Sequence, residues 1–270
     1  MTMRRVHFHV NPTKDGAAAV HAALAAALPR FGMEECASAA EADMVIALGG
    51  DGTILRAAHV NPPRPVVGFN LGGLGYLSAV ERRDFEAALS LLAEGRFSIS
   101  RRTMLEASRA GAAAVRALND VALMRELSGH AAVLDLAVDG RPAARYFADG
   151  LVIATPTGST AYSLSAGGPV LMPDSASFVV TPMNPHALGV RPIVVSDSVT
   201  LSVSVRERTG GGRGGRIGVY ADGENAMMLD DGEAIEIRKA AECALFVELE
   251  GYDPYGVLSR KLGWAGRSAL

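Results

Sequence analysis

The five residues Gly49-Gly50-Asp51-Gly52-Thr53 follow a short apolar run, "MVIAL" (44–48), and lead into "GTILRAAHV", which has a helical pattern. Glycines after a strand let backbone N–H groups approach a phosphate, because no Cβ stands in the way. The helix that follows offers the same anion its free N–H groups and the positive end of its dipole. A carboxylate in such a loop repels phosphate, so Asp51 needs a reason to be there. It can hold Mg²⁺, or it can take the proton of a hydroxyl that attacks phosphorus. The plainer alternative is a strand-to-helix turn with Asp51 as N-cap, and a short glycine motif alone does not decide between them.

Three further stretches carry residues of the right type. "GFNLGGLGYLSAV" (68–80) is a second glycine-dense turn after a second apolar run; in a parallel sheet, loops at the carboxyl ends of neighbouring strands converge on one crevice. "ALNDVAL" (117–123) sets Asn119 and Asp120 inside an apolar run. Buried polar pairs find partners, here either nearby backbone or the hydroxyls of a ribose, which suit a carboxylate beside an amide. "DGLVIATPTGSTAYSLSAGGPV" (149–170) ends a strand in Thr155, Thr157, Ser159 and Thr160, with Tyr162, Ser163 and Ser165 after them. So many hydroxyls form a donor and acceptor surface for a polar ligand. Gly158 permits a close backbone approach, and Tyr162 can stack on a flat base.

The elements that must position these residues fall into two groups. Up to about residue 98, strand-like runs at 4–10, 44–48 and 65–70 alternate with helical patterns at 15–32, after Asp51, and at 82–95. Short links between them predict an α/β domain with a parallel sheet covered by helices. Gly95 is the expected stop of the third helix. From 99 to 242, strand-like runs separated by turns predict an all-β, sandwich-like domain, with Asp139-Gly140 as the strongest hairpin turn. "RTGGGRGGR" (208–216) reads as a loop. Residues 243–270 are expected to pack back on the first domain as a tail anchored by Trp264.

Composition excludes several classes. The 270 residues are 49% hydrophobic and 20% charged with a formal net charge of −3, enough for a sizeable core and without the basic excess of a nucleic-acid binder. No stretch approaches the roughly 18 apolar residues of a membrane span, and the N-terminal run broken by His7 and His9 is not a signal sequence. Cys36 and Cys243 form neither a disulfide framework nor a zinc site, and the six histidines show no metal-ligand spacing, so a cytoplasmic protein is expected.

"GGDGT", "NLGGLGYL", "ALNDVAL", "DGLVIATPTGSTAYSLSAGGPV", "VTPMNPHALGVRPIVV" and "KLGW" occur in this order, and together they resemble the NAD kinase family over most of residues 44–264. The resemblance implies transfer of a phosphoryl group from ATP to the 2′-hydroxyl of the adenosine ribose of NAD. It also implies a divalent cation such as Mg²⁺, a homodimer or homotetramer, and a site between the two domains. By position, Asp51 matches the proton acceptor with Gly52 beside it, and Arg56 a basic residue one helical turn on. Asn119 and Asp120 match the pair that contacts NAD. Asp149 matches an acid expected to touch a neighbouring subunit's ligand. Thr160, Ala161, Tyr162, Ser163, Leu164 and Ser165 match the nucleotide-contacting run, to which the hydroxyl pattern adds Thr157. Two positions depart from the pattern: Phe147 stands where many members have Arg, and Glu224 where many have Gln. Two other classes share features of the sequence. One is a lipid kinase of the diacylglycerol type, which carries a similar glycine-acid loop but would need a membrane-binding helix; the other is an NADP(H)-binding regulator without catalysis.

Overall fold

A computed structural model describes residues 3–61, 63–72, 75–77, 80–126, 131–206 and 216–264. The chain forms two compact units, one of residues 1–101 and 244–270 and the other of residues 102–243. In the first unit the order is β1 (Arg5–Val10), α1 (Ala17–Ala27), β2 (Glu34–Glu35), β3 (Met44–Gly49), α2 (Asp51–Val60), β4 (Val66–Asn70), β5 (Val80–Glu81) and α3 (Phe85–Glu94). β1 pairs in parallel with β2 and β3, and β3 and β4 pair in parallel, as do β4 and β5. All six residues of β3 and all five of β4 are buried, as expected of parallel strands covered on both faces. The core joins Val20 and Leu24 of α1 and Leu89 and Leu92 of α3 to Ile46, Leu48, Val67 and Phe69 of the sheet.

The helix expected over 15–32 is α1 followed by a 3-10 turn, Leu28–Phe31, that takes in Pro29 and ends at Gly32. A proline is tolerated there because the first residues of a helical turn have no N–H bond to lose. Gly95 ends α3 in the left-handed conformation, φ 73°, the backbone geometry in which a side chain is costly.

The second unit holds β6 (Phe97–Ser108), which enters it at residue 102, then β7 (Val115–Ala117), β8 (Asp120–Arg125), β9 (Ala132–Val138), β10 (Arg141–Ala148) and β11 (Gly150–Ala154). After these come a short helix α4 (Tyr162–Ser165), β12 (Ser177–Met183), β13 (Ile193–Ser196), β14 (Leu201–Arg206), β15 (Ile217–Ala221), β16 (Glu224–Leu229) and β17 (Ala234–Leu249). One antiparallel layer runs β10-β9-β14-β17 and the other β13-β12-β11-β8-β15-β16. Leu134, Leu136, Leu201 and Val203 of the first share a core with Leu151, Ile153, Phe178 and Val180 of the second, the packing of a β-sandwich. Asp139 and Gly140 join β9 to β10 with φ 48° and 73°, the two positive angles that a type I′ hairpin demands. Residues 207–215, the bulk of the glycine-rich stretch, lie outside the described residues.

β17 leaves the second unit at Cys243, and Phe246 pairs in parallel with Val66 of β4. The chain closes with α5 (Pro254–Leu262). Trp264 is not the expected anchor: it is 64% exposed. The tail is seated by Val257 and Leu258, which are buried, and by Lys261, whose ammonium lies 5.5 Å from the Tyr76 ring centroid.

Candidate active site

β3 ends at Gly49, and Asp51 is the first residue of α2. The N-cap is Gly50, with no side-chain cap, so Asp51 is one position too late to be the capping residue. Its carboxylate is used differently. The Tyr76 N–H donates to Oδ2 at 2.8 Å and the Leu77 N–H to Oδ1 at 3.1 Å. Tyr76 and Leu77 belong to the second glycine-dense turn, which follows β4, the parallel neighbour of β3. The two glycine loops therefore meet, joined by the Asp51 carboxylate and by the Leu71 N–H, which donates to the Gly49 carbonyl at 3.3 Å. Each carboxylate oxygen has a second acceptor site, so a hydroxyl proton can still be received. The charge of Asp51 also raises the Tyr76 phenol above its ordinary range, after burial, which is the larger cause.

The glycines of this loop do different work. A Cβ on Gly49 would overlap the Thr53 side chain, whereas Gly50 and Gly52 face open space. Gly49 thus lets α2 start close against β3, and the other two leave the loop open on its outer side. Thr53 is buried and its hydroxyl accepts from Asn11 Nδ2 at 3.3 Å, which ties the end of β1 to the same helix start. Arg56 is exposed. It lies near enough to His9 that, after burial and the charge of His7, it lowers the imidazole pKa.

In the second unit the run read as one strand over 117–123 is broken. β7 stops at Ala117, β8 starts at Asp120, and Leu118 and Asn119 form the turn between them. The Thr155 hydroxyl donates to the Leu118 carbonyl at 2.6 Å, the Thr155 N–H donates to the Asn119 carbonyl at 2.9 Å, and a Cβ on Gly158 would overlap the Asn119 backbone. The Asp222 carboxylate accepts the N–H groups of Leu118, Asn119 and Asp120 at 2.8, 2.7 and 3.3 Å. The turn is built by Thr155 and Asp222, and the side chains of Asn119 and Asp120 are not what holds it. Asp120 is only 5% exposed; burial first, and then the charge of Asp222, push its carboxyl up to about 7.

The hydroxyl-rich segment is less of a ligand surface than its composition predicts. Thr155, Thr157, Ser159 and Ser163 are buried. Ser159 Oγ donates to the Pro156 carbonyl at 2.7 Å and accepts the Leu171 N–H at 2.9 Å, and Ser163 and Thr181 share a 2.8 Å hydrogen bond. An irregular loop inside a unit leaves backbone groups without a ladder partner, and these hydroxyls supply it. Thr160, Ala161 and Leu164 are half-buried, while Tyr162 and Ser165 are exposed. Tyr162 is 40% exposed, with its hydroxyl 3.6 Å from Met124 Sδ.

Asp149 is not brought to this cluster. It precedes β11, whereas Thr155 follows it, a separation of roughly 20 Å at ordinary strand rise. Asn184 Nδ2 donates to Asp149 at 3.0 Å and Arg125 Nε pairs with it at 2.8 Å; that amide, and then the guanidinium, hold the carboxyl below the usual range. Phe147 is exposed on β10 and Glu224 is exposed at the start of β16. Among the described residues no three His, Cys, Asp or Glu side chains converge as a metal cage, and no helix is long and apolar enough to cross a membrane. Asp222 was missed by reading the sequence, although its signal was present: an Asp-Gly pair after a short alternating strand, which marks a hairpin turn.

Comparison with known proteins identifies the family. The ATP-NAD kinase N-terminal domain matches residues 8–97 and the ATP-NAD kinase C-terminal domain matches residues 118–249. The NAD kinase of Symbiobacterium thermophilum is 42% identical over 228 residues, covering 82% of this chain and 79% of that one. The NAD kinase of Syntrophotalea carbinolica is 39% identical over 231 residues, covering 83% and 79%. Among solved structures, an NAD kinase from Archaeoglobus fulgidus in complex with ATP superposes with a TM-score of 0.74 at 27% identity, over 96% of this chain and 97% of that one. Yeast NADH kinase shares the fold, with a TM-score of 0.86 over 100% of this chain and 89% of that one, at 23% identity. With both family domains matched in order and relatives near 40% identity across most of the sequence, the chain belongs to the NAD kinase family.

Proposed function

We propose that this chain transfers the γ-phosphoryl group of ATP to the 2′-hydroxyl of the adenosine ribose of NAD, giving NADP and ADP. The observation that carries the reading is Asp51: a carboxylate at the first position of α2, among glycines at the carboxyl end of β3, with both oxygens oriented by the N–H groups of Tyr76 and Leu77. As the 2′-oxygen attacks the γ-phosphorus, its proton passes to Asp51, a bond from oxygen to phosphorus forms, and the bridging bond to the β-phosphate breaks to release ADP. Phosphoryl transfer depends mostly on positioning and charge stabilisation. Gly50 and Gly52, open on one side, and the free N–H groups at the start of α2 receive phosphate oxygens. Asn119 and Asp120 bind ribose hydroxyls and the exposed Tyr162 stacks on a base, with Thr157, Thr160, Ala161, Leu164 and Ser165 forming the wall of that subsite and Ser163, buried against Thr181, supporting it from behind.

Magnesium prefers one or two carboxylates together with substrate phosphates to an all-protein cage. A single carboxylate in the phosphate loop, Asp51, fits an ion that arrives on ATP. Such an ion would neutralise charge on the phosphates, and Asp51 is the carboxylate of the phosphate loop that would hold it.

The assembly that goes with this reading is a homodimer or homotetramer in the cytoplasm. By its place in the family pattern Asp149 reaches the ligand of a second copy, and its position the length of β11 away from Thr155 is compatible with that. Two free cysteines fit a reducing compartment.

Incubation of the purified protein with NAD, ATP and Mg²⁺, followed by detection with an NADP-specific dehydrogenase, tests the reaction. NADP formation that stops when EDTA is added is the expected result. Binding of NAD without NADP formation would leave a nucleotide-binding regulator in place of an enzyme.

A further inference from the structure

The turn that carries Asn119 and Asp120 has all its backbone polar groups occupied within the second unit. The three N–H groups of Leu118, Asn119 and Asp120 go to the Asp222 carboxylate. Thr155 donates to the carbonyls of Leu118 and Asn119, and the Asp222 N–H donates to the carbonyl of Asp120 at 3.0 Å. Asp222 therefore makes most of the contacts that define the turn. It makes them from a left-handed conformation, φ 50°, as the first residue of the two-residue turn Asp222-Gly223 between β15 and β16. Asn-Gly serves such a hairpin equally well, so the hairpin alone does not call for an acid. The carboxylate does what an amide cannot: it accepts on both oxygens, and an Asn here would set its NH₂ against a backbone N–H.

We propose that Asp222 is a positioning residue for NAD binding: its carboxylate fixes the Leu118–Asp120 backbone and so leaves the Asn119 and Asp120 side chains available to the ribose. This inference rests on the kinase reading above. A second consequence follows from charge. Asp120 pairs with Ala154 of β11, and its carbonyl accepts the Asp222 N–H from the β15–β16 turn. Among the described residues, Asp222 is the charged group that acts on it. With burial and this neighbour raising Asp120 to about 7, the acceptor form of its carboxyl grows as pH rises through neutrality. NAD binding tightens over the same interval. Removing the charge at 222 lets Asp120 ionise at lower pH, so the interval moves toward acid.

The test measures NAD affinity by calorimetry from about pH 5 to about pH 9, a range that spans an unperturbed and a raised carboxyl. Wild type, Asp222→Asn, Asp222→Glu and Asp120→Asn are compared, with NADP formation by the wild type assayed in parallel. Wild type is expected to bind NAD more tightly as pH rises through about 7. Asp222→Asn is expected to bind about tenfold more weakly, the equivalent of one lost charge-assisted hydrogen bond, with its pH dependence displaced toward acid. Asp222→Glu keeps the charge and misplaces the carboxylate, so it weakens binding without moving the pH dependence, and it carries the test should Asp222→Asn fail to fold. Asp120→Asn loses the pH dependence altogether. Wild-type affinity that is flat across this range, or Asp222 variants that bind as wild type does, would overturn the inference while NADP formation left the kinase reading standing. A wild type that makes no NADP and does not bind NAD overturns both.

Discussion

At the scale of single residues, the chemistry turns on which carboxylates keep acceptor sites free and which spend them on structure. Asp51 does both, because two backbone donors leave it further lone pairs. Asp120 differs, since its burial makes its ionisation costly to the fold. A carboxyl whose folded pKa lies above its unfolded value binds more protons folded than unfolded between those two values, so it lowers stability as pH rises across them. For Asp120 that window runs from about 4, the unperturbed value, to about 7. Asp120→Asn is therefore expected to melt higher than wild type at pH 8, by on the order of 5 °C, with the gain shrinking toward pH 4; thermal melts across that range check it. Thr155 is fully buried, and its hydroxyl donates to Leu118 and accepts from the Gly158 N–H. Thr155→Val leaves both groups unpaired and is expected to cost about 1–3 kcal/mol in denaturant unfolding, with weaker NAD binding because the turn loosens.

At the scale of elements, the parallel sheet and its helices were legible because their signals are local. "MVIAL" before "GGDGT" is a buried strand that must end where the glycines begin, and β3 and α2 do meet there with Gly50 alone between them. The close start of α2 against β3 depends on Gly49, so Gly49→Ala, whose Cβ overlaps Thr53, is expected to destabilise by about 1–3 kcal/mol and to lower turnover by shifting Asp51; a paired unfolding and activity measurement checks both. The sandwich was legible from alternation and from Asp139-Gly140. Less legible were features set by distant partners. Asp222 is 102 residues from Asp120, and no local pattern says that its carboxylate caps the 118–120 turn. The hydroxyls of 155–163 read as a ligand surface because composition does not reveal which of them face inward. Trp264 reads as an anchor by size, yet α5 buries Val257 and Leu258 instead.

At the scale of the whole molecule, the pH response combines opposite trends. Asp43, Asp135, Asp149 and Glu233 are held below their usual range, led respectively by the Arg5 N–H, the Arg145 guanidinium, the Asn184 amide and the Asp230 N–H. A depressed carboxyl contributes stability above its unfolded value, and that contribution is lost as pH falls through its folded value. Melting temperature is thus expected to drop below about pH 4, and added salt narrows the effect because the Arg145 and Arg125 pairs are partly exposed and screened. The family assignment and the glycine loops agree on phosphoryl transfer, and the account stands or falls on Asp51. The most direct measurement compares wild type with Asp51→Asn for both NADP formation and NAD affinity. Turnover is expected to be nearly abolished while NAD affinity falls by about tenfold at most, the cost of setting the Asn NH₂ against the Tyr76 or Leu77 N–H. An equal loss of affinity and turnover would contradict the account and assign Asp51 to holding the two glycine loops together, without a part in proton transfer.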